Sequence, residues 1–209
     1  QSITFNDPAT IQSPDGAGSI TVDGQIIGAG DASVTLDGPG ATTTLNSDIV
    51  TEGNAITISD SVLIGDAGGI NLDTTNGGAV GSGNDISITG ATDSTVGNEY
   101  DLTLDGGSDG DISLAGAVGS TDGIDHFTIN EANNVTFSST VEAQSLTQTD
   151  GQGTTTFYDP VSTTGADGIE IKTNEVVLDT GASLNSDSNP ISIAADVMDW
   201  YSPDGTIDA

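Results

Sequence analysis

Asp111-Ile112-Ser113-Leu114 returns as Asn134-Val135-Thr136-Phe137, as Thr154-Thr155-Thr156-Phe157 and as Glu175-Val176-Val177-Leu178, and begins again at Asp196-Val197. From Ile112 to Val135, Thr155, Val176 and Val197 the steps are 23, 20, 21 and 21 residues. Self-similarity at such a period marks a repeat architecture. A second series runs out of phase with the first: Leu102-Thr103-Leu104, Phe127-Thr128-Ile129, Leu146-Thr147-Gln148, Ile169-Glu170-Ile171 and Ile191-Ser192-Ile193. A third, fainter set follows the first: Ala117-Val118, Thr140-Val141, Pro160-Val161 and Ser183-Leu184. Three short strands in each such period describe one coil of a parallel β-helix.

Most of the triads in the first two series read apolar, polar, apolar, the period-2 pattern of a strand with one buried and one wet face. A single coil cannot bury its inward Ile, Val, Leu and Phe, whereas coils stacked above and below close a continuous core. Stacking also gives each strand's N–H and C=O groups partners in neighbouring coils. Gly, Asn, Asp and Pro supply the corners, each for its own steric reason.

Towards the N-terminus the spacing loosens. The first series reads back through Ile86-Ser87-Ile88, Ile56-Thr57-Ile58 and Val34-Thr35-Leu36 to Ile3-Thr4-Phe5. The second reads back through Ile70-Asn71-Leu72 and Thr44-Leu45 to Ile20-Thr21-Val22. The added length belongs in corner loops, Asp73 to Asn84 and Ala91 to Glu99. The expectation is an all-β, right-handed parallel β-helix: one continuous solenoid over 1–209 of about nine coils, each of roughly 20–30 residues with three short strands. Coils in 1–110 carry loops, and those in 111–209 are regular. At about 4.8 Å per coil the body would be roughly 40 Å long.

Charge excludes several partners. The chain holds 32 acids, one Lys, no Arg and one His, for a formal charge of −31. With Lys172 its only base, it cannot neutralise phosphates, so nucleic acid is excluded, and an anionic membrane surface with it. No apolar run approaches the ~20 residues of a spanning helix, so the expectation is a chain without membrane insertion through a helix. The absence of Cys suits a secreted repeat protein that needs no disulfide.

Asp outnumbers Glu by 26 to 6. Asp hydrogen-bonds its own backbone and suits turns such as Asp15-Gly16, Asp37-Gly38, Asp105-Gly106 and Asp122-Gly123. Acids stacked one coil apart lie within the Debye length of about 8 Å and repel. A divalent cation would relieve this, and calcium, a hard ion with oxygen ligands, is the cofactor expected if there is one. Gly81-Ser82-Gly83-Asn84-Asp85-Ile86 and Gly106-Gly107-Ser108-Asp109-Gly110-Asp111 partly resemble the calcium-binding nonapeptide of β-rolls. Asp85, Asp109 and Asp111 are therefore the metal candidates. The large apolar position of that motif falls on Ser87 and Ser113, and neither stretch recurs in tandem, so acidic corners are the simpler reading.

Catalysis finds little support. Gly168-Ile169-Glu170-Ile171-Lys172-Thr173 resembles a polygalacturonase stretch, but Glu170 stands where that family has Arg, and its other motifs are missing. His126 lies on the outward phase of a strand, and a carboxylate pair at glycosidase spacing arises by chance among so many acids. Thr4, Thr21, Thr35, Thr57, Thr103, Thr128, Thr136 and Thr156 sit mid-triad, as on ice-binding solenoids. Yet β-branched Thr is simply a good exposed strand residue, and Asp23, Asp37 and Asp105 interrupt the array.

The run Gly153-Thr154-Thr155-Thr156-Phe157-Tyr158-Asp159-Pro160-Val161-Ser162-Thr163-Thr164-Gly165, with Gly168-Ile169-Glu170-Ile171 and Val176-Val177-Leu178 after it, resembles the repeats of giant bacterial surface exoproteins. These are the filamentous-haemagglutinin-like and autotransporter-like adhesins. The resemblance implies a non-catalytic stalk or filament on the bacterial cell surface, structural or adhesive, with surface glycans or other cells as partners. It covers the whole chain through its repeat grammar, and that family's secretion domain is not in the sequence.

Ser13-Pro14-Asp15-Gly16 recurs as Ser202-Pro203-Asp204-Gly205, so the last coil resembles the first. An uncapped strand edge is a template for another chain, and a head-to-tail contact of this kind does not close. The partners expected are further copies of the chain or flanking repeats of a longer one. They would meet Ile3 and Phe5 at one edge and Val197, Trp200, Tyr201 and Ile207 at the other.

Overall fold

The alternation of apolar and hydroxyl residues decides which side of each strand is inside. In Ile56–Ile58, Ile86–Ile88 and Val135–Phe137 the outer two residues are buried and the middle one half-buried. The computed structural model, which describes residues 1–13, 18–38, 40, 42–201 and 206–209, stacks these strands into a parallel β-solenoid of about nine turns, with no helix among the described residues.

Each coil contributes to three faces. The first face runs Ile3–Phe5, Ile26–Gly28, Ile49–Thr51, Ile70–Asp73 and Tyr100–Asp105, then through the long strands Ile124–Ala132, Val141–Gly151 and Val161–Lys172 to Ile191–Ala194. The second runs Ala9–Gln12, Val34–Asp37, Ile56–Ile58, Ile86–Ile88, Ile112–Leu114, Val135–Phe137, Thr154–Phe157, Glu175–Leu178 and Val197–Trp200. The third begins Ile20–Val22, Thr42–Leu45, Ser61–Ile64 and Thr92–Ser94. It narrows to single bridges at Val118, then resumes through Val141, Val161, Leu184 and Ile207.

In the second face Val34 pairs with Ile56, Ile56 with Ile86, Ile86 with Ile112, Ile112 with Val135, Val135 with Thr155 and Thr155 with Val176, all parallel. The step from Ile56 to Ile86 is long because residues 74–85 form an ordered corner. Buried Asp73 holds this corner: its Oδ2 accepts the Gly77 N–H at 2.7 Å, and its Oδ1 accepts the Thr75 N–H and hydroxyl at 2.6 and 2.7 Å. Gly83, at φ +57°, is required there, since a Cβ would lie 1.9 Å from the Gly106 carbonyl oxygen.

Four sequence expectations shift. Ile3-Thr4-Phe5 pairs with Ile26–Gly28 on the first face, and the first coil's second-face strand is Ala9–Gln12. Ile20–Val22 and Thr42–Leu45 pair with each other on the third face, not the first. Thr92–Ser94 is a third-face strand, so the loop expected from Ala91 to Glu99 shrinks to 95–99. Val176 pairs with Met198 rather than Val197, a step of 22. A period-2 triad carries the same pattern on any face, so the pattern alone leaves the face open.

The core is an apolar column along the axis. Phe137 and Phe157 stack with centroids 4.9 Å apart and planes 2° apart, and Phe127 meets Phe137 edge-on at 5.9 Å and 85°. Such pairs add about 0.5–1.5 kcal/mol beyond the area buried. Buried Gln148 enters this core with Thr155, whose hydroxyl donates to Gln148 Oε1 at 2.7 Å.

Candidate functional site

Coil stacking leaves the two end coils with one free strand edge on each face. The first coil presents Ile3–Phe5, Ala9–Gln12 and Ile20–Val22; the last presents Ile191–Ala194, Val197–Trp200 and Ile207–Asp208. Among the described residues, the exposed large apolar side chains are Ile3, Val96, Tyr158, Val197, Met198, Trp200, Tyr201 and Ile207. Six of these eight lie in the end coils, which makes the edges the principal apolar surface.

Register sorts the interface candidates. Trp200 stands over buried Leu178 and Met198 over buried Val176, so both take inward positions that no further coil covers. Val197 stands over half-buried Glu175 and faces outward, and Tyr201, 61% exposed, follows the strand. Ile207 continues the inward column above Leu184. At the opposite edge Phe5 and Ile11 pack partly against the core, and Ile3 is half exposed. Sequence reasoning missed Met198 and Ile11; their signal was the apolar alternation Met198-Asp199-Trp200 and Ala9-Thr10-Ile11. The repeated Pro14-Asp15-Gly16 and Pro203-Asp204-Gly205 lie outside the described residues.

The acidic corners have a structural occupation. Asp111 donates its backbone N–H to Asp85 Oδ1 at 2.9 Å, Asn134 donates to Asp111 Oδ1 at 3.1 Å, and Thr154 donates to Asn134 Oδ1 at 2.9 Å. One side-chain oxygen per coil thus accepts the N–H of the coil above. Asp111 Oδ1 also accepts from Asn133 Nδ2 and Asn134 Nδ2 at 3.0 and 2.9 Å. Asp109 is exposed, and its backbone N–H donates to the Ser82 carbonyl at 2.9 Å. Asp105 differs: burial, with Asp73 and Glu131 nearby, pushes its carboxyl above the ordinary range against the opposing hydrogen bonds from Asn130 and Gly107.

His126 is the centre of the other polar grouping. Its Nδ1 lies 3.1 Å from Asp101 Oδ1 and 3.4 Å from Asp125 Oδ1, and its Nε2 lies 3.6 Å from Asp167 Oδ2. The Asp101 hydrogen bond, aided by the charges of Asp125 and Asp167, raises the imidazole above its ordinary value. Lys172 pairs with Asp150 at 3.2 Å. Beside the 95–99 loop runs an open groove of about 630 Å³ carrying Glu99, Asp122 and Asp125.

No family model, curated protein or solved structure matches the chain.

Proposed function

We propose that the chain is a non-catalytic, extracellular structural or adhesive solenoid of the filamentous-haemagglutinin-like kind, a stalk or filament segment on a bacterial cell surface. Its coils extend end to end, onto further copies or onto flanking repeats. The observation that carries this reading is the concentration of exposed apolar side chains at the two open edges. The edges are also complementary in volume. The bulkiest second-face inward pair, Met198 and Trp200, ends one side, and the smallest, Ala9 and Ile11, ends the other. Stacked, Trp200 would cover Ile11 and Met198 would cover Ala9, burying both as inner coils bury Leu114 and Ile112. Burial of a large apolar side chain contributes about 1.5–3 kcal/mol, so five or six such contacts would support association.

Sedimentation and electron microscopy of the purified chain, with Trp200→Asp and Ile11→Asp as variants, test this. The expected result is concentration-dependent rods lengthening in steps near 40 Å, shortened to single bodies by either variant. Single bodies for the unaltered chain at all concentrations would refute self-stacking. The groove beside residues 95–99 favours a second reading, an adhesin module that binds a glycan there. Deleting 95–99 would abolish glycan-array binding on that reading and leave rods intact on the first.

A further inference from the structure

In a regular solenoid each outward column offers one side chain per coil, spaced about 4.8 Å apart. Three ligand atoms therefore do not converge from stacking alone, however acidic the surface. Among the described residues, Asp101, Asp125 and His126 form the one group of at least three acid or imidazole side chains whose ligand atoms all lie within 4.8 Å of one another. Asp85, Asp109 and Asp111, spread along the corner ladder, form no such group.

Two successive β-bulges produce the convergence. Tyr100 pairs with Ile124 and Leu102 with Phe127, so Asp101 alone faces both Asp125 and His126. Two residues opposing one is the geometry by which a bulge re-aims side chains. In the next coils Ala143 pairs with Thr163 and Ser145 with Gly168, so Gln144 faces the extra residues 164–167. That second bulge brings Asp167 to the far side of the His126 ring.

We propose that Asp101, Asp125 and His126 bind one borderline divalent cation of the zinc type, with Asp167 as the outer carboxylate that orients the imidazole. Nδ1 and the two Oδ1 atoms form one side of the coordination sphere, and solvent completes it at this half-exposed surface. A nitrogen ligand among carboxylates separates this site from the other acids of the chain. Imidazole suits zinc, nickel or copper, whereas calcium and magnesium favour oxygen alone. A carboxylate on the second ring nitrogen is the usual outer partner of a metal-bound histidine. Asp167 Oδ2, 3.6 Å from Nε2, stands at ion-pair distance in that place. The net charge of −31 concentrates cations around the whole surface, so selectivity rather than binding alone identifies the site.

Titration calorimetry of the full chain with zinc chloride, then with calcium chloride, tests the proposal. The expected result is one zinc per chain, weakened about tenfold or more in H126Q and D101N and by about tenfold in D167N, with D111N unchanged. Calcium uptake is expected to be the same in H126Q as in the unaltered protein. His126 ring proton signals should shift or broaden at one equivalent of zinc. Equal zinc binding in H126Q, or the absence of a stoichiometric site, would overturn the proposal and leave only diffuse carboxylate binding. All four residues are at the surface, and circular dichroism of each variant checks that its coils remain formed.

Discussion

Phe137→Ala removes the middle ring of the axial stack. Phe137 is 1% exposed, lies between Leu114 and Phe157 in the ladder, and engages Phe157 face to face and Phe127 edge-on. A buried Phe→Ala change costs about 3–5 kcal/mol, and two ring contacts place this site in the upper half. Divided by a urea slope of about 2–3 kcal/mol/M, a loss near 4 kcal/mol lowers the midpoint by roughly 1.5 M. In a stacked repeat the damage is also positional, because each coil contacts only its neighbours and stability is a sum of coil and interface terms. The coils before Leu114 and after Phe157 should separate into two cooperative units. Trp200 fluorescence follows the later unit, far-UV circular dichroism follows both, and in the variant the two curves should part. Coincident curves shifted by less than about 0.5 M would refute both the burial argument and the nearest-neighbour picture.

His126 carries a pH dependence with a definite sign. Its value in the folded chain is raised above the ordinary 6.5, so its stabilisation is fully present below that value and is lost as pH rises through the folded value. Urea midpoints should fall across that window, and H126Q should flatten the dependence. Asp105, also raised, destabilises when ionised, so Asp105→Asn should raise the urea midpoint at pH 7 and give no gain below the ordinary carboxyl value of 3.8, where the acid is already neutral. Asp111→Ala removes an oxygen that accepts three donors from the next coil, a loss of about 1–2 kcal/mol by thermal or urea melts. That loss should be equal in calcium and in chelator; dependence on calcium would return Asp111 to the metal ligands.

The coil architecture could be read from Ile112, Val135, Thr155 and Val176 because each is followed by an outward residue and a second inward one at a near-constant step. Where the step varied the reading slipped. Ile3-Thr4-Phe5 and Ile20-Thr21-Val22 have the pattern of any face, and only their pairing with Ile26 and Thr43 distinguishes them. Val197-Met198-Asp199-Trp200 has apolar residues at both phases of its start, which let the register slip by one. His126 was read correctly as outward. Its neighbours were not foreseeable, since a bulge is a mismatch between two strands and neither strand's sequence marks it alone.

The hydrogen bonds between coils, such as Ile112 N–H to the Asn134 carbonyl at 2.8 Å, run along the axis of the stack. Tension along that axis loads the three faces of one interface side by side and successive interfaces in series. A series chain fails at its weakest link, so rupture force should not depend on the number of coils. That link lies around Val118, where the third face holds by single bridges to Thr92 and Val141. A rod of this kind has a mechanical fuse near its middle, and stretching would open it there while the Phe127, Phe137 and Phe157 coils stay closed.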